Sequence, residues 1–230
     1  GSGRFLLWRL HSLTYLPESV RQTAQALRHF VVENAKTARA ELKRIGHPLP
    51  LRELAIEPLP EKPSGEDLVR LATPLLAGHD LGLMSEAGCP AVADPGALLV
   101  RHAHQKGITV CPLVGPSSLM LALMASGLNG QQFAFRGYLP AREPERGERI
   151  AALEKDSARL GQTQLFIEAP YRNDALLASL LQRLRPATRL CLATDLGLPT
   201  ESIRTRTVAD WRHGAPPLLD KRPTVFLFLA

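Results

Sequence analysis

No apolar run in this chain approaches the roughly 20 residues that a membrane-spanning helix needs, so no such helix is expected. No secretory signal pattern is present, and Gly1-Ser-Gly3 reads as a vector-derived remnant. Cysteine is scarce: Cys89, Cys111 and Cys191 are odd in number, widely spaced and free of any Cys-x-x-Cys pair. Such a set builds neither a disulfide framework nor a structural zinc site. The seven histidines show no metal-ligand spacing, and no metal is expected. Internal repeats and long low-complexity tracts are absent too. With 45% hydrophobic and 22% charged residues, the composition is that of an ordinary globular protein, expected in the cytoplasm. Its 230 residues allow one large or two medium domains.

Basic charge is unevenly placed. The net charge is +6, and residues 1–52 hold nine Lys/Arg against three Asp/Glu, while the rest of the chain is balanced. A locally basic segment suits an anionic partner such as RNA. The alternative is a solvated helix face, since Lys36, Arg39, Lys43 and Arg44 also follow helical spacing.

Strand-like and helix-like segments alternate throughout, which predicts an α/β fold with parallel sheets covered by helices. Phe5–Leu7, His29–Glu33, Asp80–Met84 and Ile108–Val114 read as strands of the first half. Helices are predicted from Pro17 to Arg28, from an Asn34 cap to Ile45, from Ser64 to Leu76 and from Ala97 to Lys106. The segment Pro58–Pro63 reads as a connection. The first domain is expected to span 1–128, ending after a helix from Leu119 to Ser126, and the second 129–230, with a mixed sheet. In that second half Phe133–Leu139, Gln164–Ile167, Arg189–Thr194, Ser202–Thr207 and Thr224–Leu229 read as strands. Pro140–Gly161 and a stretch from an Asn173 cap to Leu184 read as helices.

Two loops carry the chemistry. Met84 to Gly96 reads Met-Ser-Glu-Ala-Gly-Cys-Pro-Ala-Val-Ala-Asp-Pro-Gly, a small-residue loop between a strand and a helix. Gly115-Pro-Ser-Ser118 forms a second, after the next strand, with Ser117 or Ser118 as a natural N-cap. Open α/β sheets bind ligands at such carboxyl strand ends. Gly88 and Gly96 allow close backbone approach, and Pro90 and Pro95 stiffen the path. Cys89 reads as a small loop residue rather than a nucleophile, because no partner histidine is placed beside it.

Ser85-Glu-Ala-Gly-Cys-Pro90, Ala93-Asp-Pro-Gly96, Val114-Gly-Pro-Ser117 and Ser126-Gly-Leu128, followed by Gly137-Tyr-Leu-Pro140 and Glu168-Ala-Pro-Tyr-Arg172, form one spaced run. This run resembles the tetrapyrrole-methylase superfamily of S-adenosylmethionine methyltransferases. Within it, the run is most similar to the branch that methylates a ribose hydroxyl of small-subunit ribosomal RNA. The resemblance extends from about Val31 onward. It implies two α/β domains with the cofactor in the cleft between them, and a homodimer. It also implies a cofactor set of Met84, Ser85, Glu86, Ala87, Val92, Ser117 and Ser118 from the loops, with Phe135, Glu168, Ala169 and Pro223 from the second domain.

Methyl transfer asks the protein mainly to position two reactants and exclude water. A ribose hydroxyl must also lose its proton, for which Glu33 and Glu86 are candidate bases, with Lys36 or Arg172 to stabilise the oxyanion. Each has a plainer reading. A carboxylate at a strand end holds a loop, Glu33-Asn-Ala-Lys-Thr37 is a strand end and a helix cap, and Tyr171 packs on the next helix. Tyr171-Arg172 is also suited to gripping a phosphate or stacking on a base. The start departs from the family pattern: Phe5-Leu-Leu7 runs straight into Trp8-Arg-Leu-His-Ser12, without the usual Pro- and Gly-containing loop. Either that loop is replaced or, as we expect, residues are missing between about Leu7 and Trp8. RNA is the expected substrate, given the basic first segment. A tetrapyrrole or other small-molecule methyltransferase, and a catalytically inactive S-adenosylmethionine- or RNA-binding protein, are the alternatives.

Overall fold

The computed structural model describes residues 1–9, 16–86, 91–92 and 96–230. Two compact α/β units are present, Gly1–Ser117 and Ser118–Ala230. Among the described residues no helix is long and apolar enough to cross a membrane.

In the first unit, five strands lie in the order β3-β2-β4-β1-β5, all parallel. They are β1 (Phe5–Arg9), β2 (His29–Val32), β3 (Ala55–Pro58), β4 (Leu81–Ser85) and β5 (Val110–Pro112). Between them run α1 (Glu18–Ala26), α2 (Ala35–Arg44), α3 (Gly65–Leu76) and α4 (Ala97–Gln105). Period-two alternation splits the strand residues between two faces. Leu6, Trp8, Phe30 and Met84 pack under Val20 and Ala24 of α1 and Leu42 of α2. Phe5, Val31, Leu81 and Leu83 pack under Leu71 and Leu75 of α3 and Leu99 of α4. Gly82 makes room on the first of these faces for the Trp8 ring, which meets Phe30 edge to face at 6.1 Å.

The helix ends follow their sequence signals. The Asn34 side chain accepts from the Lys36 and Thr37 amides at 2.9 and 3.1 Å, satisfying two orphan donors of α2. Ser64 and Asp67 form a reciprocal capping box on α3. Along α2, Lys36, Arg39, Lys43 and Arg44 are all exposed, and Arg44 pairs with Glu41.

Two findings depart from the sequence reading here. Strand β3 was not expected; it is a largely exposed edge strand, so no apolar run marks it. Strand β1 continues past Leu7 through Trp8 to Arg9 in unbroken register with β4, ending at Arg9 opposite Ser85. Residues 10–15, which follow, lie outside the described set.

A groove of about 890 Å³ runs from the amino ends of β1, β2 and β4 to Leu113, just past β5. Its wall includes His29 and His79, whose rings lie 4.9 Å apart. Burial, then His79 and Arg28, hold the His29 imidazole below its ordinary pKa, and its Nδ1 has no partner among the described residues. The unfolded chain takes up this proton at about 6.5, where the folded chain still resists it. The unfolded state therefore binds more protons just below that pH, and stability falls with acidification. Urea unfolding is expected to show a lower midpoint for this unit at pH 5.5 than at pH 7.5. A His29→Gln chain should lose most of that difference; an equally steep dependence in the variant would refute the assignment.

The second unit begins with α5 (Ser118–Ser126). This helix, placed by the sequence reading at the end of the first half, packs on the second sheet. That sheet has the order β6-β7-β10-β8-β9 and is mixed: β6 and β7 are parallel, the other pairs antiparallel. Its strands are β6 (Phe133–Tyr138), β7 (Thr163–Ile167), β8 (Arg189–Thr194), β9 (Ser202–Thr207) and β10 (Thr224–Leu229). Helices α6 (Glu145–Leu160), α7 (Asn173–Arg183) and α8 (Val208–Arg212) cover the face opposite α5. Phe166, Phe226 and Phe228 form the centre of that layer; Phe166 stacks on Phe226 at 5.9 Å. Cys191 is buried beneath α5, and burial pushes its thiol pKa up, as befits an inert core cysteine. Asn173 does not cap α7, contrary to expectation. It is the first helical residue, wholly buried, and its Nδ2 donates to the Arg222 carbonyl at 2.7 Å.

Candidate functional site

In the first unit, the carboxyl ends of β2 and β4 are tied together. The Glu33 amide donates to the Met84 carbonyl at 3.2 Å. The Glu33 carboxylate then accepts the Glu86 amide at 2.9 Å. Glu33 thus fixes the backbone of Glu86, the residue that follows β4. Met84 is 1% exposed, with its side chain in the core, so only its backbone can serve a ligand. Ser85 is also buried, whereas Glu86 and Val92 are exposed. Ala87, together with Gly88, Cys89, Pro90, Ala93, Asp94 and Pro95, lies outside the described residues. Lys36 sits in the first turn of α2, exposed and without a carboxylate partner among the described residues. At the far end of the loop, Gly96 has φ +133°, and a Cβ there would come within 2.9 Å of Leu83. Only glycine combines that backbone with that packing. Ser117 closes the first unit and is half-buried; Ser118, also half-buried, opens α5 in the second.

In the second unit, the corresponding groups gather after β7. The Glu168 side chain is 1% exposed. Its Oε1 accepts the Ala169 amide at 2.7 Å and Arg172 Nη2 at 3.0 Å. Glu168 in turn holds the Arg172 guanidinium above its ordinary pKa. That guanidinium lies 4.8 Å from the centre of the exposed Tyr171 ring, a cation–π contact. Arg172 is therefore a fixed cation beside an exposed aromatic surface. Glu168 Oε2, Arg172 Nε and Asn173 Oδ1 are buried without partners among the described residues. Buried polar groups are rarely left so, and all three of these lie in the turn from β7 into α7. Phe135 and Ala169 are half-buried, and Pro223 is exposed.

The sequence reading missed the frame around Pro223. Asp195 is buried, in the left-handed region at φ +53°. It accepts Arg222 Nε and Thr200 Oγ1, each at 2.8 Å, while its amide donates to the Pro223 carbonyl at 2.9 Å. An aspartate straight after a strand was the one available signal. Among the described residues no group of His, Cys, Asp and Glu could hold a metal ion.

Solved structures share this architecture. The chain superposes on the methyltransferase CobJ with a TM-score of 0.64 and 16% identity, covering 98% of this chain and 94% of that one. It superposes on the uroporphyrin-III-C-methyltransferase from Thermus thermophilus with a TM-score of 0.53 and 18% identity, covering 99% and 92%. The chain has the tetrapyrrole-methylase fold. In sequence it is similar to ribosomal RNA small subunit methyltransferase I of Pseudomonas aeruginosa, 37% identical over 145 residues, 62% of this chain and 50% of the relative. The same-named protein of Xylella fastidiosa is 38% identical over 155 residues, 67% of this chain and 48% of the relative. The chain thus spans about half the length of the curated relatives it matches. No protein-family model matches it. The resemblance read from the loops accordingly holds in both fold and sequence, and the two α/β units are those expected of a tetrapyrrole-methylase fold.

Proposed function

We propose that this protein is an S-adenosylmethionine-dependent methyltransferase whose acceptor is a ribose hydroxyl of small-subunit ribosomal RNA. The observation that carries the reading is the Glu33–Glu86 bond, which ties the residue after β4 to the end of β2 at the carboxyl end of a parallel sheet, where such folds bind ligands. The similarity to ribosomal RNA methyltransferases supports it. The residues suit the cofactor. Backbone groups of Met84, Ser85 and Glu86, with Ser117, serve from the first unit, and Ser118, Phe135, Glu168, Ala169 and Pro223 from the second. Ala87 and Val92 belong to the same proposed set. When bound, the cofactor supplies a methyl group on an electrophilic sulfonium.

The chain's own task is to orient and to manage charge. The acceptor hydroxyl loses its proton as the new O–C bond forms, and the Glu33 and Glu86 carboxylates are acceptors at that end of the first sheet. Lys36 is the cation there that offsets charge on the acceptor oxygen. Arg172, held by Glu168, suits an RNA phosphate. The exposed cations of α2 favour RNA over a tetrapyrrole. The proposal includes a homodimer acting in the cytoplasm, which light scattering and cell fractionation would check.

Calorimetry with S-adenosylmethionine is expected to show one site per chain. Methyl-labelled cofactor is expected to label small ribosomal subunits and not tetrapyrrole precursors. Label in the porphyrinoid alone would reverse the substrate assignment, and no cofactor binding at all would remove the enzyme.

A further inference from the structure

A second polar concavity lies in the second unit, on the face of the sheet opposite α5. It is a cavity of about 270 Å³, lined by Arg204, Arg206, Arg222 and His213, and none of its lining residues is acidic. Its construction follows from β9. This strand is an edge of the sheet, and Arg204 and Arg206, two apart, point to the same face. Their cross-strand neighbours on β8 are Leu192 and Leu190, both buried. Each arginine stem therefore crosses apolar surface and carries its charged head outward.

Two of the three guanidinium groups are held in place. Arg206 lies 5.1 Å from the ring centre of Trp211, whose Nε1 donates to the Leu190 carbonyl at 2.8 Å. Arg222 is fixed by Asp195 through Nε and by the Thr200 carbonyl through Nη2 at 3.0 Å. Neither Arg204 nor Arg206 has a carboxylate partner among the described residues. Three guanidinium groups line this one cavity: Arg222 is already paired with Asp195 and bonded to the Thr200 and Leu218 carbonyls, so Arg204 and Arg206 on β9 supply the charge and fork that a phosphate requires.

We propose that this cavity binds a backbone phosphate of the RNA, a phosphate contact in the second unit additional to that of Arg172. The partner's identity rests on the RNA-methyltransferase reading; the anion site rests on the arginines alone.

The test uses the full chain and a fluorescent 20-nucleotide single-stranded RNA, with anisotropy read across a salt series. Arg204→Gln with Arg206→Gln is expected to weaken RNA binding about tenfold at low salt. Each phosphate contact removed should lower the slope of log affinity against log salt by about 0.7. Arg204→Gln alone, an exposed change, should give a slope loss of the same kind, so misfolding of the double variant cannot decide the matter. S-adenosylmethionine calorimetry is run on every chain. Cofactor binding intact with RNA affinity and slope unchanged overturns the cavity. Aggregation of the variants with unchanged RNA affinity does so too, since the arginines would then only guard a sheet edge. Arginine-dependent RNA binding without any cofactor binding keeps the cavity and sinks the methyltransferase reading.

Discussion

Replacing Gly82 by alanine is expected to lower the stability of the first unit by about 3 kcal/mol, the upper end of overpacking costs. The added Cβ would lie 2.4 and 2.5 Å from two ring carbons of Trp8 and 3.0 Å from Leu27 Cδ1. Trp8 cannot simply turn away, because it is 2% exposed and packed between two strands and α1. For a unit of this size the cost corresponds to a fall of about 10 °C in melting temperature. Trp8 and Trp211 are the chain's two tryptophans, one in each unit. In a Trp211→Phe background, emission therefore follows the first unit alone. Adding Trp8→Leu to Gly82→Ala, with melting followed by circular dichroism because the probe tryptophan is gone, should recover part of the loss, since the two sites couple through direct contact. An unchanged melting temperature for Gly82→Ala would mean that Trp8 does not lie over β4.

The second large effect concerns Glu33. Glu33→Ala removes the acceptor for the Glu86 amide and frees the start of the loop. A hydrogen bond to a charged group contributes about 1.5–3 kcal/mol, so cofactor affinity is expected to fall about 10- to 100-fold. Glu33→Gln keeps an oxygen that can accept the same amide, and its affinity should stay within about threefold of the parent. The pair separates two roles. If Gln restores both affinity and turnover, Glu33 acts by holding the loop. If Gln restores affinity while turnover stays lost, the carboxylate takes the proton. Normal cofactor affinity in the alanine chain would show that the loop does not depend on Glu33 at all.

Much of this architecture was legible because the signals were local. Strands β2, β4, β7, β8 and β10 are short apolar runs, and Asn34 and Ser64 cap where their residue type says they should. Strand β3 was not legible, since Ala55–Pro58 carries a glutamate, a proline and little burial. Asn173 misled because asparagine is a preferred N-cap, whereas here the Arg222 carbonyl, 49 residues away, claims its side chain. The same distance problem hid the working parts of the site. The loop itself was visible as small residues, but its tether joins positions 53 apart. The arginine cavity draws on β9, α8 and the segment before β10. The alternation of β9 gave only an exposed strand; nothing local announced that Trp211 and Asp195 would fix its neighbours.

The contrast between the two sheets has a kinetic consequence. Every pairing in the first sheet is parallel, so none can begin as a hairpin, and each waits for a helical crossover to return. In the second, β8 and β9 are consecutive and antiparallel. Hairpins close in about 1–10 μs, whereas distant parallel pairing must first meet the entropy of large loops. The chain thus emerges from the ribosome with its slower-nucleating half first, and that half has the longer time to find its register.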